Sequence, residues 1–390
     1  MIIVYLIGRF PPVYGGQTSV EIDINRELAK RGHTIYFITP KYDKTHAEYE
    51  NYEGINVIRV NPPLKSSLSE LNYVLNAFIK IRILKITPDI IIDLIPFGNS
   101  MVITRYFSKL WNVPIVCKPS QAGANEPLAA GKGKFGFILK KLFGTYSKFI
   151  AISPILLENF RRAGIPDNKI EFISNCVDTD LFAPVAKSVK YKLRQKLFST
   201  LKGKIVIVVG NVSKRKRSHL AIEAWKIFKT NFLEPATLVF VGPVKSTGHP
   251  FDEKYVDELK SKIQQYGLAD SVIFTDFQKN VHEYFQTSDI SLFVSEREGL
   301  GMVVLESMST EIPIVTVAID KITDYILTNG KEGFITTDDP HEISERMITL
   351  LSNSEIGKVM GKNGRRTVLV RFSVNEVADL IENLYRNVIS

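Results

Sequence analysis

The stretch Ser295-Glu296-Arg297-Glu298-Gly299-Leu300-Gly301-Met302-Val303-Val304-Leu305-Glu306 follows the apolar run Ile290 to Val294 and opens a segment of helical character. A strand turning through glycines into a helix is where open α/β sheets bind ligands. Gly299 and Gly301, flanking Leu300, let the backbone approach an anion, and the free N–H groups of the helix that begins at Met302 point at it. A diphosphate fits such a turn. Glu306, two turns on, is set among Val304, Leu305 and Met308. Its carboxylate is a candidate acceptor for a ribose hydroxyl pair; a solvated glutamate on an amphipathic helix is the plain alternative.

Working outward, β-branched runs alternate with longer segments of helical spacing on both sides of this stretch. Ile2 to Ile7, Thr34 to Thr39, Ile90 to Ile95, Pro114 to Cys117 and Phe149 to Ser153 read as strands of a first half. Ile205 to Val209, Thr237 to Val241, Val272 to Phe274, Ile290 to Val294 and Ile314 to Val317 repeat the pattern in a second. Such alternation specifies parallel sheets covered by helices. The fold class is therefore α/β, with two Rossmann-like domains: residues 1–183, residues 184–371, and a terminal helix, 372–390. That helix has apolar residues at Val374, Val377, Ile381, Leu384 and Val388 behind a capping Ser373, and is expected to return to the first domain.

A chain of 390 residues, 45% hydrophobic, can bury two cores. Two cysteines, Cys117 and Cys176, are too few for a disulfide framework and lack zinc-site spacing, so a reducing compartment is the default. Ile2 to Ile7 lacks the preceding basic region of a signal peptide and reads as a strand. No apolar run approaches the ~18 residues of a membrane span. A cytoplasmic protein is expected, with peripheral contact at the inner face of a membrane kept open. The net charge is +9, and residues 181–222 hold eleven Lys or Arg and no Asp or Glu. A field of that sign attracts phosphate on a nucleotide, a nucleic acid or a lipid.

Three motifs invite other readings. Gly131, Gly133 and Gly136 match GxGxxG, but no strand feeds the turn, so a nicotinamide site is set aside. Asp178-Thr179-Asp180 is a DxD of the kind that holds Mg²⁺ or Mn²⁺ between carboxylates and a diphosphate, or an ordinary Asp-rich turn; the turn is preferred. Lys132 to Lys148 has Phe135, Ile138, Leu139, Leu142 and Phe143 on one helical face, which suits an anionic membrane or, more commonly, a helix packed on the sheet.

A second element, Val208-Val209-Gly210-Asn211-Val212-Ser213-Lys214-Arg215-Lys216, ends the second half's first strand, where lysines can meet phosphates. A charged surface loop is the alternative. Together these elements resemble glycosyltransferase family 4, the retaining enzymes of the GT-B fold. Glu298 and Glu306 meet that family's EX7E signature. Gly15 and Gly16, then Leu28-Ala29 and Arg31-Gly32-His33, resemble its opening glycine loop and first helix. Ser174 to Phe182 resembles its interdomain segment, Val241-Gly242-Pro243 and Thr275-Asp276-Phe277 its donor loops, and Pro313 to Thr316 the segment after the signature helix.

The resemblance implies donor contacts from Gly15, Gly16, Gly210, Asn211, Arg215, Lys216, Phe277, Glu298, Gly299, Leu300, Gly301, Met302 and Glu306. Glu298 would meet the sugar, Glu306 the ribose and Lys216 the diphosphate. Two departures stand out. Asn211 occupies the family's Arg place and Arg217 its glycine, so either Arg215 or Arg217 compensates or the donor is an unusual one. The acceptor-side histidine is missing, there being none between His46 and His219; Lys118, Ser120 and Gln121 stand there instead.

The implied reaction is retaining transfer from a UDP- or GDP-linked nucleotide-sugar to a hydroxyl of a glycan, glycolipid or small molecule. It needs no metal, no further cofactor and no nucleic acid. Glu298 and Lys216 are the expected catalytic residues, with front-face attack in which the leaving phosphate takes the acceptor's proton. A nucleotide-sugar epimerase or hydrolase on the same plan, and a non-catalytic nucleotide-sugar-binding subunit, are the competing readings.

Overall fold

The computed structural model describes residues 1–11, 16–43, 45–60, 69–95, 100–119, 143–199, 201–244 and 252–390. They form two compact units, Met1–Cys176 with Val374–Ser390, and Val177–Ser373.

In the first unit the strands are β1 (Ile2–Leu6), β2 (Thr34–Pro40), β3 (Tyr49–Tyr52), β4 (Ile55–Val60), β5 (Ile90–Asp93), β6 (Ile115–Cys117), β7 (Lys148–Ala151) and β8 (Ile170–Phe172). Their spatial order is β3-β4-β2-β1-β5-β6-β7-β8, and only β3, against β4, runs antiparallel. Ile3 to Leu6 of the central β1 are wholly buried, as a parallel strand covered on both faces must be.

The second unit holds β9 (Lys204–Val209), β10 (Ala236–Val241), β11 (Val272–Phe274), β12 (Ile290–Phe293), β13 (Ile314–Val317) and β14 (Phe334–Thr336). All are parallel, in the order β11-β10-β9-β12-β13-β14. From β9 the chain builds outward through β10 and β11, then returns to lay β12 on the other side of β9. The strand order reverses there, and the crevice beyond the carboxyl ends of β9 and β12 is the natural ligand site.

The first unit ends at Cys176, upstream of the expected 183/184 boundary. Hydrogen bonds explain why. The Val177 N–H donates to the Phe372 carbonyl, Arg365 donates to the carbonyls of Thr179 and Phe182, and Gln286 to those of Leu181 and Ala183. The terminal helix, Val374–Ile389, lies in the first unit, burying Val377, Ile381, Leu384 and Tyr385. Tyr385 Oη is 3.0 Å from Tyr5 Oη.

Asp178 of the DxD accepts from the N–H groups of Asp180 and Leu181 through one carboxylate oxygen, at 3.0 and 2.9 Å, which is turn chemistry. The GxGxxG glycines, and Lys132 to Leu142 of the basic aromatic segment, lie outside the described residues. Cys117 and Cys176 are both buried free thiols. Among the described residues no helix is long and apolar enough to cross a membrane.

Candidate functional site

The acid-free basic run of residues 181–222 divides in two. Its first part belongs to architecture: Lys190 and Arg194, on helix Lys187–Leu197, both bind Asp289, 3.0 Å away in the case of Lys190, and Asp289 also accepts from the Ile205 N–H. These bonds fix the helix to the starts of β9 and β12. Asp289 feels burial raising its pKa, and the Lys190 and Arg194 cations outweigh this and hold it below the usual carboxylate value.

The second part, Lys214 to Arg217, follows β9 at the switch point. Lys216 Nζ lies 2.6 Å from Glu298 Oε1, and Arg215 donates to the same oxygen at 3.0 Å and to the Arg297 carbonyl at 2.9 Å. Ser295, two residues past β12, donates its hydroxyl to that oxygen at 2.6 Å. A backbone bond from the Glu296 N–H to the Arg215 carbonyl, 2.9 Å, ties the loop after β9 to the loop after β12. Burial pushes the Glu298 carboxyl up, but the Lys216 and Arg215 charges and the bonds from Lys216 and Ser295 bring it below the usual value.

Two glycines allow this geometry. Gly210 has φ +131°, and a Cβ there would stand 3.2 Å from Lys216 Cε, so a side chain would crowd the ammonium's route to Glu298. Gly301, at φ +89°, caps helix Met302–Ser309 in the left-handed region, turning the chain from the Glu298 loop into the helix. Lys216 Nζ also lies 5.3 Å from the centre of the Phe293 ring.

The structure thus brings together Gly210, Arg215, Lys216 and Glu298, with Gly299 to Met302 continuing the same loop. Leu300 is buried, so any ligand contact from it is through its backbone, while Glu306 is half-buried in the second turn of the helix. Asn211 and Phe277 are exposed, Phe277 beside Asp276, whose left-handed φ of +58° turns the loop after β11. Arg217 is turned away from Glu298, 3.4 Å from Asp338. Ser295 was the participant without a sequence signal of its own beyond its place at a strand end.

On the first unit's side the expectations fare differently. Gly15, Ser120 and Gln121 lie outside the described residues; Gly16 opens helix Gly16–Lys30. Lys118 is buried, with Nζ 2.7 Å from the equally buried Glu21 carboxylate. An ammonium placed so deep requires a carboxylate, and the first helix supplies one.

The chain matches two family models, glycosyltransferase family 4 over residues 14–181 and glycosyl transferases group 1 over residues 189–367. It is 22% identical over 387 residues to the N-acetyl-alpha-D-glucosaminyl L-malate synthase of Bacillus anthracis, covering 97% of this chain and 95% of that protein. An Escherichia coli UDP-Gal:alpha-D-GlcNAc-diphosphoundecaprenol alpha-1,3-galactosyltransferase is 24% identical over 220 residues, 56% of this chain and 54% of that one. Among solved structures, Anabaena Alr3699/HepE in complex with UDP superposes with a TM-score of 0.79 at 22% identity, covering 99% of this chain and all of that one. The sucrose-phosphate synthase of Thermosynechococcus elongatus gives 0.81 at 18% identity, covering 99% and 98%. With its two parallel-sheet units and its sequence matched in both halves, the chain belongs to glycosyltransferase family 4 and has the GT-B fold.

Proposed function

We propose that this glycosyltransferase is a retaining enzyme that takes its sugar from a UDP-linked donor held in the second unit. The observation that carries the reading is the convergence of Lys216 and Arg215 on Glu298 beside the glycine turn that opens helix Met302–Ser309. Two fixed cations and the helix's first N–H groups form a cradle for the growing negative charge of a leaving diphosphate, and they need no reorganisation to act. A cradle of this composition works without a metal. Arg215 takes the part left vacant by Asn211, since Arg217 is turned to Asp338. The UDP complexes of Anabaena Alr3699/HepE support the choice of base.

In the proposed step an acceptor hydroxyl oxygen bonds to the anomeric carbon on the face from which the carbon–phosphate oxygen bond breaks. The bonding pair leaves with the diphosphate, which takes the hydroxyl's proton. Glu298 orients the sugar through its hydroxyls, and Glu306 holds the ribose. The acceptor is a hydroxyl of a glycan, glycolipid or small molecule.

Thermal-shift and labelled-turnover assays of UDP-, GDP- and ADP-sugars, with EDTA present, test the reading. We expect stabilisation by UDP-sugars, weakened in Glu306→Ala, and transfer or slow hydrolysis with retained anomeric configuration. Stabilisation without turnover on any acceptor would favour a non-catalytic binding subunit; loss of activity in EDTA would refute metal independence.

A further inference from the structure

Two neighbouring helices of the first unit carry apolar side chains outward as well as inward. Helix Ser69–Ile83 buries Tyr73, Val74, Ala77, Phe78 and Ile81, yet exposes Leu75, Ile79 and Ile83. Helix Ser100–Trp111 exposes Val102, Tyr106 and Leu110. In both, the exposed residues recur every fourth position and so form a stripe along one side of the helix. The helices lie side by side, with Phe78 and Phe107 stacked 4.4 Å apart and Phe78 against Trp111 at 5.5 Å. The exposure is substantial, 66% for Ile83 and 61% for Tyr106. Lone exposed apolar residues need no explanation, but two adjacent stripes do.

Charge identifies the occupant. Residues 69–87 and 100–113 contain five basic residues and one acid, Glu70. Lys80 is turned toward Glu48 and the Tyr49 ring, and Arg105 toward Thr145, but Arg82, Lys85 and Lys109 are exposed beside the stripes. A net-basic face of exposed aliphatic side chains and one tyrosine is the composition of a surface that lies in the headgroup layer of an anionic bilayer. A protein partner of opposite charge would satisfy the cations, but among the stripe residues Tyr106 alone carries a group that could hydrogen-bond to it.

We propose that helices Ser69–Ile83 and Ser100–Trp111 dock the first unit on the surface of a membrane rich in anionic lipid. The inference stands apart from the donor reading, because it uses none of the same residues and its test needs no activity.

The test is cosedimentation of the full chain with vesicles of phosphatidylcholine alone or mixed with phosphatidylglycerol. The wild type is expected to bind the mixed vesicles, less so as salt rises. The double variant Ile79→Glu/Tyr106→Glu should bind at least about tenfold more weakly, its charges lying where apolar side chains would insert. Arg82→Glu/Lys109→Glu should weaken binding by a similar factor, about tenfold, through lost attraction to the headgroups. All four positions are exposed, so the melting temperature is expected to hold; if the first variant melts early, Ile79→Ser/Tyr106→Ser replaces it, with a smaller but still measurable loss. Absence of binding to the mixed vesicles overturns the proposal, as does binding unchanged in the variants. So does a dimer in sedimentation velocity that Ile79→Glu/Tyr106→Glu dissociates, since a second copy would then be what covers the face.

Discussion

Each unit sets a lysine ammonium against a glutamate at nearly the same distance, Lys118 with Glu21 at 2.7 Å in the first and Lys216 with Glu298 at 2.6 Å in the second. Water separates the two cases. The side chains of the first pair are 2% and 1% exposed, those of the second 15% and 13%. A pair sealed from water has nothing to exchange with, and it fastens the end of β6 to the first helix. The second pair shares its carboxylate oxygen with Arg215 and Ser295 and reaches solvent, so an arriving anion can meet the cations where they stand while Glu298 keeps its partners. On the proposed reading the same two groups serve stability in one place and chemistry in the other, and access decides which.

The largest effect that would test this contrast is expected at Lys118. Lys118→Ala strands the Glu21 carboxylate in the core and should cost about 3–5 kcal/mol. At roughly 2–4 °C per kcal/mol for a unit of this size, calorimetry reads the loss directly. The double variant Glu21→Gln/Lys118→Met, which removes both charges, should recover much of it. A Lys118→Ala protein melting like the wild type would break the comparison.

Lys216→Ala should show the opposite profile. Its melting temperature is expected to hold, because Glu298 retains Arg215, Ser295 and some water, while transfer falls about a hundredfold through loss of one fixed charge at the leaving group. The pH profile sharpens the point. Burial raises the Glu298 pKa and the cations lower it, so removing Lys216 leaves burial less opposed and the pKa rises. The acid limb of the residual activity should move to higher pH, and an unmoved limb would separate Glu298 from the reaction. Arg215→Ala should lower transfer less, by roughly tenfold, as loss of one charge-assisted hydrogen bond does. Arg217→Ala should leave it near wild type, its partner being Asp338. Equal losses at Arg215 and Arg217 would shift the clamp.

Much of this was legible in the sequence where residues are both apolar and periodic. The strands with long β-branched runs, such as Lys204–Val209 and Ala236–Val241, announce themselves. The unannounced strands have mixed chemistry. β3 reads Tyr-Glu-Asn-Tyr at a half-exposed edge, and β8 is three residues long. β4 carries Arg59, which is buried with Glu50 and the carbonyls of Pro11 and Ala47 accepting from its guanidinium. Glu298 stood out through its resemblance to the family signature, and the glycine turn could be placed from the sequence, since the left-handed conformation at Gly301 admits few residue types. Which of four consecutive basic residues turns inward could not, because that depends on the left-handed Arg217, φ +49°, that starts helix Ser218–Asn231. The Lys118 partner was hidden for a related reason: Glu21 is far away in sequence, and nothing in either local segment reports burial of both.

A third carboxylate gives the smallest effect and tests the argument about water from the other side. Glu382, on the terminal helix, meets Arg31 at 3.2 Å, His33 at 3.1 Å and Arg386 at 2.6 Å. Its pKa is lowered from 4.5 to about 2, first by the bond from Arg386, with the opposing effect of burial next in size and then the bonds from Arg31 and His33, which lower it further. Arg386 is largely exposed, so water competes for the network and each bond contributes little. A folded-state pKa below the unfolded one contributes stability that is complete above the unfolded value and is lost as pH falls through the folded one. Glu382→Gln should therefore cost about 1 kcal/mol or less near neutrality. The deficit should shrink between pH 4.5 and about 2 and be absent below. Paired melts of wild type and variant across that range measure it. A neutral-pH deficit as large as that of Lys118→Ala would mean that the number of partners, and not exclusion of water, sets what these ion pairs contribute.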